Sequence, residues 1–409
     1  MSVITYNAEL KFKEKQDQEY WSKILDLSRH AYNKCSYIIE SQKIHLELRS
    51  VHHAVYYPLR EEFPDIPAQG IIRIHKECLA AFRSIKSNGH INHKAPKKRN
   101  CSMRLDKRLY SNFSVTGISL CSEKSNRRAK AKLVQFPRIV ELFEKYPTKD
   151  PLIFKKRNRL FLSIPFEIPD VDLSNDRCIG VDLGERRFAV TSDGIMFNDK
   201  EYNARRRKLR YLKRCLQKKK TKSARKKRRK ISTKEKNQST DMCRKMANAI
   251  LSSTDASYIV LEDLSGIKKK TSRAKTGFKK TNHNRRMGLV PFYKFKQILS
   301  YKALLKGKRV ETVSSYMTSQ TDCITGKIEG IRRNRRFYCK NGKTVLDADW
   351  NGAINIAQKS NHPFSFLRPL DGTIRTWKAG CKSTTRTYVS LPMETAEALQ
   401  AHRLQTVGS

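Results

Sequence analysis

The sequence predicts a multidomain α/β protein: a small N-terminal β-barrel with a helical insertion, followed by an α/β domain. Three observations predict it. Within the first 165 residues, strand-like alternation gives way to helical spacing and then returns. From residue 178 onward, short apolar strands alternate with helical stretches. Three acidic residues, Asp182, Glu262 and Asp349, each stand at the end of such a strand or the start of such a helix.

Residues 1–14 alternate like a strand and lack the basic region followed by an apolar one that marks a signal peptide. From Gln18 to Ser41, apolar residues such as Trp21, Ile24, Leu25, Tyr32, Cys35 and Ile39 recur at helical spacing. A turn follows at Phe63-Pro64-Asp65-Ile66-Pro67. A second amphipathic helix then carries Ile71, Ile74, Cys78, Leu79 and Phe82, and stops at Asn88-Gly89. His75 shares its apolar face and reads as a packed histidine. Residues 92–165 return to short alternating segments, the clearest a hairpin of Leu152–Phe154 and Leu160–Ile164 around a basic tip. The barrel is thus expected over 1–14 and 92–170, the helical insertion over 15–91, and a linker from Pro165 to Asn175.

The second domain opens with a meander: strands at Cys178–Asp182, Phe188–Thr191 and Ile195–Phe197, the last two joined by a tight turn at Asp193-Gly194. Residues 204–230 hold no acidic residue and are mostly Lys or Arg. Leu209, Leu212 and Leu216 keep helical spacing through that run, which predicts one long basic helix, with helix continuing from Ser232 to Ser252. Its clusters Arg205, Arg206, Arg207, Lys208 and Lys226, Lys227, Arg228, Arg229, Lys230 are candidate nucleic-acid contacts. A strand at 257–262, a basic loop at 265–288, a helix from Phe292 to Leu304 and a strand at 309–313 follow. Residues 314–346 read as an insertion, with a third basic cluster at Arg332, Arg333, Arg335 and Arg336. Asp347 begins the last helix, and residues 361–409 form a tail of weak signals.

Composition narrows the partners. The 409 residues include 86 Lys plus Arg against 38 Asp plus Glu, a formal net charge of +48. Self-repulsion on that scale destabilises a compact monomer, and nucleic acid is the polyanion that relieves it. No stretch approaches the ~20 apolar residues of a membrane span, so no membrane role is expected. Ten cysteines without disulfide-like spacing fit a reducing, intracellular setting, cytoplasmic and nucleoid-associated.

A carboxylate ending one strand, a second on another strand and a third at a helix start can converge on Mg²⁺ or Mn²⁺. Two such cations roughly 4 Å apart would stabilise the attacking and leaving oxygens of a phosphodiester hydrolysis. That element order is the one found in RNase H-like nucleases. The wording around each residue adds a family resemblance. Ile179-Gly180-Val181-Asp182-Leu183-Gly184, followed by Phe188 to Gly194, resembles the first RuvC motif of the transposon-encoded TnpB nucleases. Val260-Leu261-Glu262-Asp263-Leu264 resembles their second, and Asp349-Trp350-Asn351-Gly352-Ala353 their third. Thr318-Ser319-Gln320-Thr321 before Cys323 also matches.

The resemblance covers roughly Cys178 to Gln358. TnpB proteins and the related type V CRISPR effectors are RNA-guided DNA endonucleases, so it implies a guide RNA and target double-stranded DNA as partners. It implies a wedge-like barrel with a helical recognition insertion, and a split RuvC domain over 176–313 and 347–360. Asp182, Glu262 and Asp349 become the ligands and catalytic residues. Asp263 would face away from Glu262, Asp347 suits a helix cap, and Asn351 either supports the site or the helix. A non-cleaving RNA-guided regulator has no need of the three carboxylates. A guide-independent transposase or resolvase has no use for the long N-terminal region.

The sequence departs from the family in one place. The family carries a zinc ribbon of two Cys-x-x-Cys pairs, whereas this chain has Cys323-Ile324-Thr325-Gly326 and Cys339-Lys340-Asn341-Gly342. Each pair lacks its second cysteine, and no His lies in 314–346 to complete four ligands. The 314–346 segment is therefore expected to be a target-nucleic-acid-binding insertion of degenerate ribbon type, without zinc.

Overall fold

A computed structural model describes residues 2–88, 95–123, 127–170, 173–184, 187–198, 200–264, 290–340, 345–364, 373–378 and 381–387. The basic loop expected over 265–288 and most of the tail lie outside these. The chain divides into two units, Met1–Asp170 and Val171–Ser409. Among the described residues, no helix is long and apolar enough to cross a membrane.

The first unit begins with β1 (Ser2–Phe12) and three helices, α1 (Lys15–Ser41), α2 (Leu48–Glu62) and α3 (Ala68–Ser87). Four short strands follow: β2 (Ser102–Arg104), β3 (Tyr110–Ser111), β4 (Gly117–Cys121) and β5 (Arg128–Leu133). The unit ends with α4 (Pro137–Lys145), β6 (Leu152–Lys156) and β7 (Arg159–Ile168). The seven strands form one sheet in the order β2-β6-β7-β1-β5-β4-β3.

Chain connectivity makes that sheet curl. Six inter-strand steps of about 4.8 Å would put the edges of a flat sheet roughly 29 Å apart. The edge strands β2 and β3 are joined by residues 105–109 alone, a link that reaches at most about 22 Å when extended. A turn shortens it further, with the Leu109 N–H donating to the Asp106 carbonyl at 2.7 Å. The two edges are therefore drawn together. Along β7 every second residue from Leu160 to Ile168 is buried, the period-2 signature of a sheet with one face inside.

Two elements here differ from the sequence expectation. Pro165, read as the start of a linker, sits inside β7 opposite Thr5. Its carbonyl accepts from the Lys149 N–H, just before β6 begins, so the missing N–H falls on that side and spares the ladder to β1. Helix α2 was not expected at all. Its apolar stripe is only Val51, Val55 and Leu59, all fully buried, and Pro58 lies within the helix. That narrow stripe packs with α1 and α3 around Tyr32, Ile39, Ile71 and Leu79.

The second unit runs β8 (Cys178–Leu183), β9 (Ala189–Thr191), β10 (Ile195–Phe197), α5 (Lys200–Lys218), α6 (Lys222–Ser253) and β11 (Tyr258–Glu262). It continues with α7 (Phe292–Leu304), β12 (Arg309–Val313), β13 (Ile331–Arg333), β14 (Arg336–Tyr338), β15 (Val345–Asp347) and α8 (Ala348–Gln358). Two strands in the tail, β16 (Thr373–Lys378) and β17 (Cys381–Thr387), complete it. The main sheet has the order β12-β11-β8-β9-β10-β16-β17, with β13, β14 and β15 forming a separate small sheet. β8, β11 and β12 are parallel, while β9 runs against β8.

The expected single basic helix is two helices packed as a hairpin. Lys220 takes a left-handed backbone, φ 51°, and the Thr221 hydroxyl caps α6 by accepting from the Ala224 N–H at 3.2 Å. The helix breaks at Lys220, and Thr221 restarts it as a cap. Lys213 pairs with Glu235 across the hairpin at 2.7 Å.

Both faces of β8 are covered. Ile179, Val181 and Leu183 pack with Met246, Ile250, Phe295 and Leu299 of α6 and α7. Gly180 and Asp182 face the other way, toward α8, where a Cβ on Gly180 would stand 2.0 Å from the Ala353 carbonyl oxygen and 2.6 Å from the Ala357 nitrogen. Only glycine lets the helix backbone lie directly on the strand. Gly180→Ala should therefore destabilise the second unit by about 1–3 kcal/mol or more, as overpacking against rigid backbone does. A denaturant midpoint equal to wild type would show that the helix can shift at no cost.

Candidate active site

Strand alternation and parallel register place the first two carboxylates together. Val181 is opposite Leu261 in the β8–β11 ladder, so Asp182 and Glu262 are the next pair along it and share the α8 face. The third comes from the first turn of α8, whose Asp347 cap accepts from the backbone N–H groups of Asp349 at 3.0 Å and Trp350 at 3.3 Å. Gly352, one turn on, lies over Asp182: a Cβ there would be 3.4 Å from Asp182 Oδ2. The close seat of α8 on β8 thus brings Asp349 to the strand-end pair.

Each carboxylate has identifiable neighbours. Arg332 Nη2, from the exposed β13–β14 hairpin, donates to Asp349 Oδ1 at 3.1 Å. Buried Arg187 donates to both oxygens of Asp347 at 2.6 Å and to Asp349 Oδ2 at 3.3 Å. The Thr318 hydroxyl donates to Glu262. Lys359, whose ammonium also reaches the Tyr316 carbonyl, feels the charge of Glu262.

The polar face of α8 sews the Thr318–Cys323 loop in place. Asn351 accepts from the Cys323 N–H at 3.0 Å and donates to the Thr321 carbonyl at 2.8 Å. Asn355 donates to the Thr318 and Thr321 carbonyls, and Gln358 to the Cys323 carbonyl. Asn351 therefore supports the loop rather than facing the carboxylates.

Donor chemistry suits hard divalent cations: three carboxylates, all oxygen, crowded enough that Asp182 resists ionisation. As the side chains stand, no three His, Cys, Asp or Glu among the described residues converge closely enough to hold an ion. Asp349 is turned onto its two arginines instead. Zinc does not fit the residues of the insertion. Cys323 and Cys339 are buried among Phe337, Leu346, Trp350 and Ile354. Gly326, which stands where a second ligand would be, has φ 70°, a backbone that disfavours any residue with a Cβ.

The other sequence-derived candidates lie on exposed surfaces. Arg205, Arg207, Lys208 and the Lys226–Lys230 cluster line α5 and α6, while Arg206 is half-buried over the Tyr202 ring. Arg333, Arg335 and Arg336 are exposed beside Arg332. Arg332 joins the carboxylate site, which its place in a basic run did not foretell. Arg187 and Lys359 carried no sequence signal, being single cations in a very basic chain.

Burial and the charges of Glu262 and Asp349, opposed by Arg332, push the Asp182 carboxyl from its ordinary 3.8 up to about 8. The unfolded chain sheds this proton near pH 4 and the folded chain only near pH 8. Between those values the folded state binds the extra proton, so stability falls as pH rises, by at most about 1.4 kcal/mol per unit. Without divalent metal, Asp182→Asn should flatten that fall in a pH series of denaturant unfolding. Parallel pH profiles for the two proteins would refute the assignment.

Comparison with known proteins places this geometry. A family model described as a probable transposase, OrfB_IS605, matches residues 163–272, and one described as a Cas12f1-like TNB domain matches residues 292–356. A CRISPR-associated endodeoxyribonuclease Cas12f2 from a Micrarchaeota archaeon is 34% identical over 129 residues. That match covers 29% of this chain and 23% of the relative. The fold is similar to that in the Cas12f1–sgRNA–target DNA complex, with TM-score 0.57 and 14% identity over 83% of this chain and 81% of that one. It is also similar to that of the mini RNA-guided endonuclease CRISPR-Cas_phi3, with TM-score 0.52 and 10% identity over 87% and 92%. The chain is TnpB-like and akin to the compact type V effectors.

Proposed function

We propose that this TnpB-like chain is an RNA-guided DNA endonuclease, with a structured guide RNA and double-stranded DNA as its partners. One observation carries the reading: β8, β11 and α8 place Asp182, Glu262 and Asp349 on one face, close enough for the charges of the other two to act on Asp182, in a chain of formal net charge +48. In this reading residues 176–313 and 347–360 form a split RuvC-like, RNase H-like domain, and residues 314–346 contact the target strand. The curled sheet of the first unit serves as a wedge for the guide, with α1–α3 as the recognition insertion.

The three carboxylates would hold Mg²⁺ or Mn²⁺. When bound, a pair of such ions stabilises the attacking and leaving oxygens of the phosphodiester. The residues' own parts follow from their settings. Thr318 and Lys359 orient Glu262, and the Asp347 cap and Arg187 fix the start of α8 beneath Asp349. Affinity resides elsewhere, in the distributed Lys and Arg of the exposed helices and hairpin.

Asp182→Ala, Glu262→Ala and Asp349→Ala should each abolish Mg²⁺- or Mn²⁺-dependent cleavage by the chain purified with its RNA, with nucleic-acid affinity largely intact. Two of the three cutting at wild-type rate would remove the site assignment. Cleavage that persists after the co-purified RNA is digested would point to a guide-independent enzyme.

The basic hairpin has its own test. Neutralising Lys226 to Lys230 should reduce the magnitude of the log–log salt slope of binding by about 0.7 to 0.9 for each phosphate the chain no longer neutralises. An unchanged slope would make these side chains a solvated face only.

A further inference from the structure

The insertion between β12 and α8 has two turns, one following Cys323 and one following Cys339, and a fully buried acid between them. Asp322 is 0% exposed. Its Oδ1 accepts the Ile324 N–H of the first turn at 3.0 Å, and its Oδ2 accepts the Lys340 N–H of the second at 3.3 Å. The Cys339 thiol lies beside the same carboxylate, and burial together with that charge pushes it up. The Asp322 backbone closes the first turn, its N–H donating to Lys327 at 2.9 Å and its carbonyl accepting from Gly326 at 2.8 Å.

A carboxylate accepts through both of its oxygens, whereas the amide of the same size has one acceptor oxygen and an NH₂ that can only donate. Charge-assisted bonds of this kind are about twice as strong as neutral ones. We infer that Asp322 is the clasp of this insertion, joining its two turns through hydrogen bonds where relatives of ribbon type use a metal. The two thiols beside it then act as small buried groups.

The clasp bears on the site through two routes. Thr321 and Cys323, which lead into the first turn, are bonded to α8 through Asn351, Asn355 and Gln358. The second leaves β14, whose partner β15 runs directly into the Asp347 cap. Asp322 thereby closes a circuit of bonded elements that begins and ends on the helix carrying Asp349. It is a positioning residue that acts through α8.

Amide hydrogen exchange on the full-length chain tests this without any cleavage assay, so the result stands whether or not the chain proves to be a nuclease. In wild type, the Ile324 and Lys340 amides should be protected equally with and without EDTA. Asp322→Asn offers one acceptor oxygen and turns an NH₂ group toward a donor, so it should speed exchange at one or both amides by roughly tenfold or more, the scale of a missing buried hydrogen bond. Helices α1–α3 should not respond. Cys339→Ser, which keeps a side chain of similar size but ligates zinc poorly, should keep protection. Protection lost in EDTA or in Cys339→Ser, with Asp322→Asn unaffected, would overturn the clasp in favour of a metal.

Discussion

The second unit depends on one close approach: the backbone of α8 resting on Gly180 of β8. A helix normally packs on a sheet through side chains on both sides, which keeps its axis about 10 Å away. Here the Ala353 carbonyl and Ala357 N–H occupy the space a Cβ at Gly180 would need. Gly352 lies over Asp182, where an added Cβ would meet Oδ2 at an ordinary 3.4 Å. The helix start is consequently lowered to the level of the strand ends, where a carboxylate in its first turn reaches those of the strands. A larger residue at Gly180 would lift Asp349 away from Asp182 before it changed any charge.

That proximity sets up an electrostatic conflict, and the surrounding cations answer it. Three carboxylates at a partly buried strand edge repel one another, and Asp182 yields by retaining its proton into the neutral range. Arg187 and Arg332 draw Asp349 outward, and Arg187 also neutralises the Asp347 cap, so helix start and site share one cation. A buried ion pair is a weak source of stability but a strong source of orientation. Arg187 has little freedom, whereas Arg332 lies on an exposed hairpin whose other arginines are free to meet phosphates.

Much of this was legible from residue order. Strand endings identified Asp182 and Glu262, because a parallel ladder must bring such ends side by side once β8 and β11 are neighbours. The cap role of Asp347 followed from its place before a helical run. Other features had no local signature. Helix α2 hides in a stripe three residues wide, and the break at Lys220 in a basic run whose helically spaced leucines all precede it. The ion pairs of Arg187 and Arg332 depend on tertiary placement. Asp322 is one acid beside a cysteine, and only burial reveals that two distant turns share it. The tail strands β16 and β17 extend the main sheet although their own sequence alternates poorly.

The place of β1 has a consequence for how the first unit is made. Ser2 pairs with Ile168, and Leu10 with both Leu160 and Leu133, so this strand gains both its neighbours only near the end of the unit's synthesis. Helices α1, α2 and α3 intervene, and their contacts are local enough to form within the segment itself. The insertion can therefore collapse first, while β1 waits with two open edges for nearly the whole synthesis of the unit. Such an edge invites mispairing. Every second side chain of β1 from Lys11 back to Val3 is exposed or only partly buried, and these include charged Glu9 and Lys11 and polar Asn7, which keeps the waiting strand soluble until β7 arrives.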